Sequence, residues 1–417
     1  MSRRQSITAT LLTLTALVAV VVIGGVRNSR PEVPGANGWV YVETNSAAPN
    51  SNDVLAFRYR DGELSAQGVR RYPTHGSGSH DLNNAGVLDA DQELIVNPQR
   101  TLLFAVNSSS DTIAVFHIRP DGSLTPVSGS PFPSYGRAPT SLGLAGSALL
   151  VANKAQDGVR DLRRVPASYA SLPVRPDGSL GPPISLITVP PHSSPLQAYV
   201  TPDQKVMIAS EESGVFRAFV IGRSGTLTQG ANSPLRLDPA VNPDHIRFQF
   251  WPAGLESHPA QKILYAQVAN LSRTIVYSWD DRARLQFVRS LPNPGSFLPC
   301  WTHVNSAGTR MYSGNAGSDN LSVFDISGDP TDPRWIQTAP LNSPGNPWNF
   351  EIDPTGRVMF MLDMRAVRQI PPQLGNDLHS LRISSDGRLH ELRASPVKIP
   401  VAPGTNPVGL AVVPSSG

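Results

Sequence analysis

A single cysteine, Cys300, stands among 417 residues, so no internal disulfide is possible and the fold has to be held by packing. A lone thiol between apolar neighbours reads as a small buried hydrophobe. No His/Asp/Glu cluster has metal-ligand spacing, no Gly-x-Ser-x-Gly elbow occurs and no nucleotide-binding glycine loop is present. The residues therefore support neither a metal nor any other cofactor. No stripe of Lys and Arg is interleaved with aromatics, which leaves nucleic-acid binding unsupported. The basic isoelectric point of about 9.1 belongs largely to the leader. Residues 1–30 carry four Arg and no acid, leaving 31 basic against 32 acidic residues in the remainder.

One uncharged run, Ile7 to Val26, follows Arg3 and Arg4. Its 20 residues suit either a secretory signal or a membrane anchor, and no clear small-x-small cleavage site follows. In both cases the remainder is expected to be exported, periplasmic or secreted, touching a membrane only through this segment if it is uncleaved. Residues 1–27 are read as that signal or anchor, 28–37 as a flexible linker and 38–417 as one folded domain.

What the chain has in plenty is Pro (40) and Gly (34), with short alternating Val/Ile/Phe segments between them. This composition describes many short strands joined by tight turns. One unit recurs: an apolar strand, a turn, a second apolar strand ending near Asn, a polar turn, and a third strand closing on a turn such as Asp-Gly. The clearest copy runs from Leu94 to Leu124, and others begin at Ala198, Thr302 and Phe350. Turns after the first strand fall at Pro98, Leu144, Pro202, Pro259, Ser306, Pro354 and Pro414, at intervals of 46 to 60 residues. That period fits four-stranded propeller blades. The first copy, Trp39 to Leu64, has no inner strand ahead of it, while Val408–Gly417 supplies one at the other end. The expectation is an all-β, seven-bladed propeller whose C-terminal strand completes the first blade and leaves no open edge. The Asn-x-Ser sequences at Asn107, Asn270 and Asn320 sit in the turn after a second strand, where Asn serves turn geometry.

The unit NPQRTLLFAVNSSSDTIAVFHIRPDGSL resembles the seven-bladed lactonase-like propellers, the group of bacterial 6-phosphogluconolactonases and fungal carboxymuconate cycloisomerases. The resemblance covers about Gly38 to Gly417, and Leu82–Pro98 and Pro299–Phe324 are similar to an exported branch. It implies lactone ring opening or closure, with Arg fixing a carboxylate or phosphate and His or Glu moving the proton. The match SSPLQAYVTPDQKVMIASEES puts Glu211 on the family's Glu, with Leu196 and Gln197 in place of its Arg-His pair. Ala316 stands where some members carry Arg, and Arg273 lies close to another such position.

Propeller topology brings the segment before each inner strand and the turn after each second strand to one face, around the channel mouth. Glu211 is the candidate proton-transfer group there, with His192 as a substitute for the missing histidine and His303 as the other partner. His80, Trp301, His303, Glu212 and Arg273 are candidate substrate contacts. Each also has a plainer reading: solvated turns for the glutamates, loop histidines for His80 and His192, and packing for Trp301 and Trp348. Two functions follow. An exported lactone hydrolase or cycloisomerase would take a small lactone or carboxylate and show a carboxylate and His within one bridging water, with an inward Arg. A non-catalytic propeller would bind a glycan, peptide or envelope partner through the same rim.

Overall fold

The computed structural model describes residues 33–79, 90–242, 251–365, 374–402 and 404–415. Among these, regular structure is β-strand apart from three short 3-10 turns. The strands form seven antiparallel sheets of four or five strands, each one blade. Blade 2 shows the pattern: inner strand Leu94–Val96, second strand Leu102–Asn107, third strand Thr112–Ile118, and an outer edge split into Leu124–Pro126 and Phe132–Pro133. Blades 3 to 6 begin at Pro139, Tyr199, Pro252 and Pro299, and blade 7 at Asn346.

Blade 1 is closed as expected. The strand Gly38–Glu43 pairs with Asp53–Arg60 on one side and with the C-terminal strand Val408–Pro414 on the other, Trp39 opposite Val413 and Tyr41 opposite Ala411. Both ladders of Gly38–Glu43 are thereby filled, and the two ends of the domain share one sheet. Second strands such as Leu102–Asn107 and Val358–Met364 read as nearly unbroken apolar runs, because blades cover both of their faces.

The turn predicted at Leu144 falls two residues later. Ala145 lies opposite Ala148 in a two-residue hairpin at Gly146–Ser147, and Gly146 adopts φ +56. The sequence period located the blade, but the absence of Pro there hid a tighter turn. A further repeat is Ser-Pro at 130–131, 233–234 and 395–396, where the outer edges of blades 2, 4 and 7 break into two strands. In each, the Ser Oγ accepts a third-strand N–H: Val115 (2.9 Å), Ala218 (3.1 Å) and Ser380 (3.0 Å). The hydroxyl replaces the ladder acceptor lost at the break, leaving no buried donor unpaired.

Hairpins between inner and second strands lie on one face, here the turn face. Turns after second strands lie on the opposite one, the rim face. Of the segment expected to be a linker, the described part Val33–Asn37 is fastened to the turn face. Val33 and Ala36 are buried, Val33 N–H donates to Asp61 O (2.9 Å), and Asn37 Oδ1 accepts from Asp61 N–H (3.0 Å). The uncharged run before it, together with His80, lies outside the described residues.

Candidate functional site

The inner strands surround an axial cavity of about 290 Å³. Towards the rim face its wall is made by the segment that enters blade 2. Asp91 N–H donates to Leu196 O of blade 4 (3.3 Å), and Asp91 Oδ1 accepts from Asn349 Nδ2 of blade 7 (2.9 Å). Gln197 Nε2 donates to Leu255 O (3.0 Å) and Gln92 Oε1 (3.3 Å), and Leu255 N–H donates back to Gln197 Oε1 (2.6 Å). These bonds span the channel, so the segment is a crosspiece. From it the lining runs along Leu94, Ile95 and Val96 to Pro98, and along Leu142 to Leu144, at the turn face.

Within this space stand Glu256 of blade 5, His303 of blade 6 and Glu351 of blade 7. Each lies three residues before its turn residue (Pro259, Ser306, Pro354), so three neighbouring inner strands present them at one level. At the same position blade 4 has Tyr199, whose hydroxyl donates to Glu256 Oε1 (2.8 Å). Ser257 N–H donates to the same oxygen (3.0 Å). Glu256 Oε2 faces His303 Nδ1 at 3.7 Å, just beyond direct hydrogen-bond reach, and both side chains retain 23% exposure to the cavity. The His303 ring meets Phe350 edge-on, with centroids 6.3 Å apart.

Burial dominates the electrostatics. It pushes Glu256 up to about 7, Glu351 to about 8 with Asp91 and Glu256 adding repulsion, and Asp91 to about 6 against the pull of the Asn349 amide. Glu93, behind the crosspiece, is likewise raised by burial, and His303 is lowered to about 4. No Lys or Arg lines the cavity among the described residues. At neutral pH the chamber therefore holds a mostly ionised Asp91, a Glu256 close to half-ionised, a mainly protonated Glu351, amides and a neutral imidazole.

Glu211 has other partners. It closes the second strand of blade 4 and is completely buried, like Glu43, Asn107, Asn153 and Asn315, which end four other second strands, and Asp363, one residue before the end of the second strand of blade 7. Five of these six hold the rim ends of the blades together by side-chain hydrogen bonds, and Asp363 instead faces buried His379 at 3.6 Å. Asn107 Oδ1 accepts from Thr74 Oγ1 (2.6 Å) and Asn52 Nδ2 (2.9 Å) of blade 1, and Asn315 Nδ2 donates to Ser322 Oγ (2.9 Å). In blade 4 the partners include a guanidinium and two hydroxyls. Glu211 Oε1 accepts from Tyr169 OH of blade 3 (2.9 Å) and pairs with Arg217, while Oε2 accepts from Ser213 Oγ (3.0 Å). Glu211 is not part of the cavity wall.

The other candidates disperse. Glu212 pairs with buried Lys154 (2.9 Å) and accepts from Gln156 Nε2 (3.1 Å), joining blades 3 and 4. His192 sits exposed in a loop with φ +66. Arg273 donates to Ser290 Oγ (2.6 Å) and Ser290 O (3.0 Å) on the outer strand of its own blade and does not line the axial cavity. Trp301 is buried and packs edge-on against Trp348 at 5.5 Å, a core contact. Of the named candidates among the described residues, only His303 lines the cavity, and it meets Glu256 rather than Glu211. Gln197, where the resemblance would place a histidine, also lines it. Glu256 and Glu351 escaped notice because they sit inside strands rather than in loops. Their signal was a charged residue at a fixed distance before the turn in consecutive blades, where apolar residues would be expected.

Comparison with known proteins places this geometry in context. No protein-family model matches the chain. In sequence it is similar to a 6-phosphogluconolactonase of Yersinia enterocolitica, 23% identical over 279 residues, covering 64% of this chain and 76% of that protein. In structure it is similar to the periplasmic gluconolactonase of Pseudomonas aeruginosa, with a TM-score of 0.66 and 17% identity over 91% of this chain and 99% of that one. It is also similar to a hypothetical selenium-binding protein of Sulfolobus tokodaii, with a TM-score of 0.59 and 12% identity over 92% and 97%. The structural likenesses establish a common propeller fold, and a fold of this kind carries more than one chemistry.

Proposed function

We propose that the chain is an exported lactone hydrolase that opens an uncharged, hydroxyl-bearing lactone in the axial cavity. The observation that carries this is the level of Glu256, His303 and Glu351 on three adjacent inner strands. Two carboxyls of different acidity face one space there, the arrangement that lets one accept a proton while the other donates. Glu256, held by Tyr199 and Ser257, takes a proton from a water that adds to the lactone carbonyl carbon. Glu351 gives its proton to the ring oxygen as the carbon–oxygen bond breaks, and the product is the open hydroxy acid. Neutral His303 orients the water through Nδ1. The similar lactonases, one of them periplasmic, support the reaction class and export, and the uncharged run at Ile7–Val26 supports export independently.

A cavity without Lys or Arg suits a ligand without phosphate or carboxylate. Once the ring opens, the new carboxylate faces Asp91, Glu256 and Glu351, and repulsion favours its release. The test is turnover of a panel of unphosphorylated and phosphorylated sugar lactones by the purified protein. Glu256→Gln and Glu351→Gln should each lower kcat by roughly 10²-fold or more, with unphosphorylated lactones preferred. No turnover above background, or turnover indifferent to both substitutions, overturns the proposal.

A second reading rests on a different observation. Tyr135, Trp251 and Phe297 are 40%, 42% and 57% exposed on segments leading into blades 3, 5 and 6, all towards the rim face. Such aromatics fit a binding propeller that holds a glycan or envelope partner, and a protein with no lactone turnover would favour it.

A further inference from the structure

Away from the axis, on the turn face of blades 1 and 2, two grooves flank Trp39. One, of about 570 Å³, is lined by Arg58, Arg60 and Arg70 with Glu63; the other, of about 350 Å³, by Arg100 and Arg119. Trp39 is the partition between them. Gly122 approaches so closely that a Cβ there would lie 2.1 Å from the indole nitrogen, and the Arg70 guanidinium stacks on the ring at 4.5 Å. Arg70 also pairs with Asp121 (3.3 Å). Arg58, Arg60 and Arg100 are exposed and paired with no carboxylate among the described residues. Five guanidinium groups against Glu63 and Asp121 leave this patch basic, although residues 31–417 as a whole carry 31 basic and 32 acidic side chains.

Its position identifies the partner. The chain joins the domain beside the first groove: Gly35 N–H donates to Asp61 Oδ1 (2.8 Å), Val33 N–H to Asp61 O (2.9 Å), and Arg357 Nη2 to Pro34 O (2.8 Å). Asp61 directly follows Arg60 of the groove wall. Seven residues, 27 to 33, lead from the end of the uncharged run to this point, and fully extended they reach at most about 25 Å. If Ile7–Val26 anchors the chain, the bilayer lies within that reach of the point where the chain meets the arginine-bearing face.

We propose that the arginine grooves around Trp39 form a docking surface for anionic lipid headgroups, which holds the propeller turn face towards the membrane. The proposal uses the anchor reading of Ile7–Val26 but is independent of the chemistry in the cavity. Each Arg near an anionic surface strengthens attachment roughly fivefold, so reversing three should weaken it by on the order of a hundredfold or more.

The test uses the full chain carrying Gln67→Cys at the first groove, reconstituted in lipid nanodiscs of phosphatidylcholine alone or mixed with phosphatidylglycerol. Val159→Cys, exposed on the segment between Asn153 and Ala167 that joins the second and third strands of blade 3 at the rim face, is the control. Labelling of the groove thiol by a soluble maleimide should slow in anionic discs relative to neutral ones, while labelling of the control thiol stays equal. High salt and the triple change R58E/R60E/R100E should each abolish the difference. Equal labelling of the groove thiol in both lipids overturns the proposal. Should cells deliver the propeller cleaved, sedimentation with the same two vesicle compositions replaces labelling. Binding to anionic vesicles that is lost in the triple variant supports the proposal. Failure to bind, or binding to a soluble anionic polysaccharide alone, overturns it.

Discussion

Glu211 and Glu256 are strand carboxylates of adjacent blades, and their surroundings assign them opposite roles. Glu211 is surrounded by Tyr169, Arg217 and Ser213, which leave no room for a reacting group. Glu256 has one oxygen held by Tyr199 and Ser257 and the other turned to the cavity. Removing one partner from a buried, hydrogen-bonded ion pair leaves the other charge stranded, at a cost of about 3–5 kcal/mol. Glu211→Ala should therefore lower the urea unfolding midpoint strongly, while the fraction that stays folded keeps its lactone turnover. Turnover abolished in a fully folded Glu211→Ala protein would return that residue to the catalytic centre. For Glu256 and Glu351 the expected signature is kinetic. Hydrolysis needs Glu256 ionised, above about pH 7, and Glu351 protonated, below about pH 8. The pH profile of kcat should thus be bell-shaped with its maximum between those values, and Glu351→Gln should remove the alkaline limb.

The element with the most at stake is the C-terminal strand. Val408–Pro414 supplies the inner strand of blade 1, and Gly409 N–H donates to Asn349 Oδ1 (2.8 Å), tying closure to the crosspiece network. Gly409 adopts φ +66, and a Cβ there would lie 2.7 Å from that of Leu94, so only glycine fits without displacement. Gly409→Val should destabilise the domain by at least about 1–3 kcal/mol. A chain ending after Pro407 should expose the Gly38–Glu43 edge and lose its cooperative melt. Circular dichroism with size-exclusion chromatography would reveal both effects, and an unchanged melt for the truncated chain would refute the account of closure. The insertion from Gln156 to Ala167, between the second and third strands of blade 3, is visible in the sequence, but where it lies is not. Asp157 accepts from Ser109 Oγ (3.0 Å), and Arg160 reaches Asp111 (2.9 Å) and Ser108 O (2.9 Å) of blade 2. Residues 157–160 are thus pinned along the rim of a neighbouring blade, a placement set by partners about 50 positions away.

Over the whole molecule, burial has moved several groups in one direction, and stability should follow. Glu256, Glu351 and Asp91 are raised by burial. Buried His379 stands 2.7 Å from Glu391 and 3.6 Å from Asp363. Burial alone would lower it, but the two carboxylates outweigh that and hold it at about 9. A group whose pKa is raised by folding contributes stability that is complete below its unfolded value and lost as pH rises through the folded one. For the carboxyls that loss runs from about pH 4 to 8, and for His379 from about 6.5 to 9. The urea midpoint should therefore fall from pH 5 to pH 9, and the double variant Glu256→Gln/Glu351→Gln should flatten its lower part. A midpoint that rises over this range would contradict the buried-acid chamber. The repeat, the number of blades and the closing strand were legible in the chain because strand alternation and turn residues are local properties with a fixed period. The arrangement of the candidate site was not. Whether a carboxylate is clamped or poised depends on side chains brought from other blades, Tyr169 and Arg217 around Glu211, His303 and Asn349 around the cavity. Those approaches exist only once the ring has closed, so tertiary structure alone decided which of the acids could face a ligand.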